Sequence, residues 1–70
     1  MVTFEIGVYN KEVRDLIQQG ERHRQLSDNW ADVHYVEVSA SDETDARSKI
    51  ARKYPANRGY VVESVTKSKF

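Results

Sequence analysis

The chain has 70 residues, 11 basic and 11 acidic side chains, 39% apolar residues and no cysteine. A chain this short makes one domain at most and buries only roughly 60% of the surface its unfolded form exposes, which leaves little room for a deep substrate cavity. Without cysteine there is no disulfide framework, thiolate metal site or thiol nucleophile, and a formal net charge of zero argues against a dedicated polyanion binder.

Residues 3 to 9 alternate, with Phe4, Ile6 and Val8 on one face and Thr3, Glu5, Gly7 and Tyr9 on the other. This is the period of a half-buried strand. Asn10 is placed to cap a helix whose stripe is Val13, Leu16, Ile17 and Gly20, at the i, i+3, i+4, i+7 spacing of one face. Two ends fit this helix: Gly20 as a C-terminal glycine, or continuation through His23 and Arg24. Residues 26 to 32, Leu-Ser-Asp-Asn-Trp-Ala-Asp, read as a loop of turn-favouring side chains.

Val33 to Ala40 is a second alternating strand, rich in β-branched and aromatic residues, with Val36 and Val38 toward the core and Tyr35 away from it. Ser39 or Ser41 then caps a second helix, with Asp42, Glu43 and Asp45 in its first turn, where acids suit the positive helix terminus. Its buried stripe is Ala46, Ile50 and Tyr54. Pro55 stops it, because the residue before a proline is pushed out of helical geometry, and Asn57 to Gly59 supply a turn. Tyr60 to Thr66 forms the third strand, in which Val61 and Val65, or else Tyr60 and Val62, face outward depending on register. Residues 1 to 66 make a single domain, and Lys67 to Phe70 read as a frayed tail.

A parallel three-stranded sheet needs helices on both faces, more cover than two helices in 70 residues provide. The expected fold is therefore a two-layer α+β domain with β-α-β-α-β chain order. Its three-stranded, mainly antiparallel sheet has order 2-1-3, and both helices pack on one face. No apolar run approaches the ~20 residues of a bilayer span, and the start Met-Val-Thr-Phe-Glu lacks the layout of a secretory leader. The expectation is a soluble, cytoplasmic protein with no membrane partner.

Catalytic motifs are missing: the sequence has no nucleophile elbow, phosphate loop or dinucleotide turn. A zinc site would have to join His23 and His34 to Asp28 or Asp32, a set no motif supports. The reading is a non-enzyme without metal or cofactor. Around Trp30 the segment with Arg22 and Arg24 is densest in residue types found at interface hot spots, although the lone tryptophan of a small domain also serves to close its core. The excursion from Asn10 to Asp32 exceeds the usual connection length, and such excursions often carry binding.

The outward Tyr9 and Tyr35 add an aromatic sheet face, suited to a protein partner or to self-association. Arg47, Lys49, Arg52, Lys53 and Arg58 form a basic run able to track phosphates. Glu43 with Arg47 and Asp45 with Lys49 are, however, favourable i, i+4 pairs. By helical angle Arg47 lies on the flank of the buried stripe. The sequence thus points to a small accessory or regulatory protein-interaction module using Trp30, Arg22, Arg24, Tyr9 and Tyr35. The alternative is nucleic-acid binding through the basic run.

Overall fold

The computed structural model describes residues 1–68. Its elements are β1 (Val2–Asn10), α1 (Lys11–Gln18), a 3-10 turn (Asp28–Ala31), β2 (His34–Ala40), α2 (Glu43–Lys53), a second 3-10 turn (Ala56–Arg58) and β3 (Tyr60–Lys67). The sheet order is β2-β1-β3, and both edge strands run antiparallel to β1. This is the α+β arrangement expected from the alternation and from the shortage of helix.

β1 lies in the middle because its inward residues are the most apolar of the chain: Phe4, Ile6 and Val8 are buried and pack with Ala40, Ala46 and Ile50. The last two belong to α2, whose four-residue spacing lays one stripe along the sheet. Val36 and Val38 complete the inner face from β2. Among the described residues, α2 covers this side of the sheet alone.

The register of β3 combines the two alternatives left open by its sequence. Val8 pairs with Val62 but Gly7 pairs with Ser64, so Glu63 is an extra residue, a β-bulge that switches the alternation. Tyr60 and Val62 on one side of the bulge and Val65 on the other all pack on the core, while Val61, opposite the outward Tyr9, faces away. The bulge sits at Gly7, where a Cβ would lie 2.7 Å from Ser64 Oγ and 3.1 Å from Val33 Cγ1. β3 also runs one residue beyond its expected end. Lys67 pairs with Phe4 within the sheet, and just past the strand end the Ser68 N–H donates to the Thr3 carbonyl at 2.8 Å. Lys69 and Phe70, the rest of the expected tail, lie outside the described residues.

α1 departs from expectation in both its place and its face. Its packing partners are the Asp28–Ala31 turn and β3, and its first N–H, from Lys11, donates to the Gly59 carbonyl at 2.8 Å. It therefore sits at the end of the sheet. Val13 alone of the expected stripe is buried, Leu16 is half-buried and Ile17 is 40% exposed. An eight-residue helix beyond the sheet end has only one turn within reach of the core. The result is an elongated molecule, 42 × 21 × 15 Å, with a radius of gyration of 13.1 Å against about 11 Å for a compact chain of this length. Gly20, at φ 78°, ends the helix. The Glu21 N–H reaches the Leu16 carbonyl at 2.7 Å and the Gly20 N–H the Ile17 carbonyl at 3.0 Å, the paired bonds of a Schellman motif.

The cap of α2 is Asp42, not Ser39 or Ser41. Its side chain accepts the Asp45 N–H at 2.8 Å, and the Asp45 carboxylate in turn accepts the Ser41 N–H at 3.0 Å. That second bond, helped by Lys49, holds the Asp45 carboxyl below its ordinary value. A lowered carboxyl pKa contributes stability that is present above the unfolded value and is lost as pH falls through the native one. Asp45→Asn should therefore lower the melting temperature at neutral pH. The gap to wild type should close in acid, in thermal melts of both proteins across that range; a gap independent of pH would refute this role.

Candidate functional site

The residues singled out in the sequence fall into four separate places. Trp30 is held in the Asp28–Ala31 turn, which Arg14 anchors by donating from Nε to the Ala31 carbonyl at 2.9 Å. Its indole stacks on His34 at 4.3 Å between ring centroids and meets Tyr54 at 5.4 Å and Tyr60 at 5.3 Å. Tyr54 and Tyr60 are themselves 5.2 Å apart. These four rings close the core on the helix side of the sheet, and Trp30 is half-buried among them. His34 Nε2 also donates to the Asn29 carbonyl at 2.9 Å. Among the described residues no three His, Asp or Glu side chains are grouped to hold a metal ion.

Arg22 and Arg24 are exposed on the segment after α1. They line an open cleft of about 650 Å³ with Glu12, Leu16, Glu21, His23 and Gln25. His23 shapes this segment: its Nδ1 accepts the N–H groups of Gln25 and Leu26, both at 3.1 Å. The cleft mixes two acids with two bases between α1 and the segment after it, and its histidine is engaged in holding the backbone turn.

The basic run divides. Arg47 pairs with Glu43 at 3.5 Å and Lys49 with Asp45 at 3.4 Å, and Lys49 Nζ also donates to the Ser39 carbonyl at 2.8 Å. Arg47 does not lie along the core as its helical angle suggested; its side chain is 53% exposed, because the pairing with Glu43 draws the guanidinium outward. Arg52, Lys53 and Arg58 are exposed near the end of α2 and the following turn. Lys53 lies over the Tyr54 ring at 5.7 Å.

The fourth place is the sheet face opposite α2. It carries Thr3, Glu5, Gly7 and Tyr9 from β1 and Tyr35, Glu37 and Ser39 from β2, paired as Thr3–Ser39, Glu5–Glu37 and Gly7–Tyr35. Tyr35 is 66% exposed, and its Cε1 comes within 3.4 Å of where a Gly7 Cβ would be. The ring thus leans over the one position of the central strand that lacks a side chain, a contact that steadies aromatic residues beside strand glycines. Tyr9 is half-buried, with the Arg14 guanidinium 3.7 Å above its ring.

Trp30 and the two tyrosines therefore lie on opposite sides of the sheet, and no one surface holds all five residues expected at a partner site. Two features of the open face are not evident from the chain pattern. Arg14 over Tyr9 depends on where α1 sits. Glu5 and Glu37 share the outward set by alternation, but their opposition requires the register. No helix among the described residues is long and apolar enough to cross a membrane. No protein-family model matches the chain, and no curated protein or solved structure matches it either.

Proposed function

We propose that the protein is a non-enzymatic docking module whose binding surface is the open face of the sheet. The observation that carries this reading is Tyr35, a large aromatic side chain left 66% exposed on the face opposite α2 and steadied over Gly7. Aromatic residues held in place contribute contact area at small entropic cost and are enriched among interface hot spots. Around it the same face carries the polar side chains of Thr3, Glu5, Glu37 and Ser39.

The test is capture from nuclease-treated native lysate on immobilised wild-type protein and on Tyr35→Ser. Wild type should retain specific proteins despite the nuclease. Tyr35→Ser should lose them by roughly 30-fold in affinity, the effect of an alanine-scale hot spot of about 2 kcal/mol. Circular dichroism must show the variant folded. Retention that Tyr35→Ser leaves unchanged would sink the reading.

A second reading rests on Arg52, Lys53 and Arg58, which keep no carboxylate partner among the described residues once Arg47 and Lys49 are paired. Cations grouped at a helix end suit phosphates. In a parallel capture from untreated lysate this reading requires salt-eluted material that nuclease removes and that Arg52→Gln/Lys53→Gln fails to hold.

A further inference from the structure

The following inference rests on the docking reading and adds the chemistry of the partner. Glu5 stands directly opposite Glu37 in the register of β1 and β2, and both are exposed on the open face. Directly opposed residues of an antiparallel pair have Cβ atoms about 4.5–5.5 Å apart, and like charges there repel. Neither glutamate is in an ion pair among the described residues, where both such pairs belong to α2. Arg14 lies over Tyr9, four residues or about 13 Å along the strand from Glu5. The two carboxylates thus form a repulsive pair beside an exposed tyrosine.

We propose that this face binds a basic segment of a partner protein, with a lysine or arginine head seated between Glu5 and Glu37 and its stem against the Tyr35 ring. A cation there turns the repulsion of the free protein into two attractions, and the ring face packs its apolar stem. The charge works against other occupants. A second copy docked face to face about a twofold axis brings the two acid pairs toward each other, and nucleic-acid phosphates meet a negative surface.

The test uses a fluorescein-labelled octapeptide of alternating arginine and serine, and a control with glutamate in place of arginine. Binding is read by anisotropy at low and moderate salt and mapped by amide chemical shifts. The arginine peptide should bind at least about tenfold tighter than the control, more weakly as salt rises, and shift Glu5, Tyr35 and Glu37.

Glu5→Gln/Glu37→Gln should weaken the peptide about tenfold while raising the melting temperature by about 2–4 °C, because the repulsion is gone. Glu21→Gln, a remote acid, should change neither. Equal binding of both peptides, shifts confined to Glu43 and Asp45, or unchanged affinity in the double variant would overturn the proposal. So would a dimer in analytical ultracentrifugation that covers the open face. In the lysate capture, loss of the partner with Tyr35→Ser but full retention by Glu5→Gln/Glu37→Gln overturns the cationic partner and leaves the docking module standing. Retention unaffected by either variant overturns both.

Discussion

Asn10→Ala should destabilise the domain by about 3 kcal/mol, most of the ~3–5 kcal/mol a core of this size supplies. Asn10 is fully buried, and one side chain there serves two elements. Its Oδ1 accepts the N–H groups of Glu12 at 3.0 Å and Val13 at 3.2 Å, capping α1, and its Nδ2 donates to the Arg58 carbonyl at 3.1 Å. Losing an N-cap costs about 0.5–2 kcal/mol, and leaving partly buried backbone groups unpaired adds about 1–3. Asn10→Ser, which keeps an acceptor for the helix but is too short for Arg58, should cost about half as much.

Gly59 belongs to the same knot. It sits at φ 91°, and a Cβ there would fall against the Glu12 carboxylate and 2.8 Å from Asn10 Oδ1. Gly59→Ala should therefore cost about 2 kcal/mol through left-handed strain and displacement of the cap. Part of that loss disappears once Asn10 is alanine. Urea melts of the two single variants and the double variant, run in stabilising sulfate, should show the double falling short of additivity by about 1 kcal/mol. Additive losses, or an Asn10→Ala cost under about 1 kcal/mol, would mean that the cap and the turn are independent.

The sequence carried the topology because two strands with clean alternation and two short helices leave few ways to cover apolar surface. The central place of β1 follows once parallel pairing is excluded. β3 was ambiguous for a physical reason: a bulge at Glu63 inverts the alternation midway, and the bulge depends on the absent side chain of Gly7 on the neighbouring strand. The cap of α2 was ambiguous because Ser39, Ser41 and Asp42 all have capping side chains, and only the bond from the Asp45 N–H to the Asp42 carboxylate selects one. The place of α1 was hidden in the contacts of its first turn with Gly59, which lies 48 residues after Lys11. At the candidate site, alternation was enough to turn Tyr9 and Tyr35 outward. It could not show that the loop before β2 folds to the other side of the sheet and takes Trp30 with it. The grouping of Trp30 with the tyrosines joined residues by their type, and the fold separates them by their strand faces.

Trp30→Ala should lower stability by about 3 kcal/mol while leaving binding at the open face intact. The large-to-small change at a core aromatic costs about 3–5 kcal/mol when burial is complete, and Trp30 is only half-buried. Against that, it loses three ring contacts at once, with His34, Tyr54 and Tyr60, and aromatic pairs contribute about 0.5–1.5 kcal/mol each beyond their area. Trp30→Phe keeps a ring in the same space and should cost about 1 kcal/mol. Tyr54→Ala made in the Trp30→Ala background should cost less than it does alone, since Tyr54 has then already lost one neighbour. Chemical melts of these variants measure the stabilities, and capture by the folded Trp30→Phe protein measures the binding. If Trp30 were itself the partner anchor, Trp30→Phe would lose the captured protein with almost no change in stability, since removing an indole from a hot spot costs about 2 kcal/mol or more of binding. The aromatic cluster predicts the opposite pairing of effects, because the ring that Trp30 presents to its neighbours is on the far side of the sheet from Tyr35.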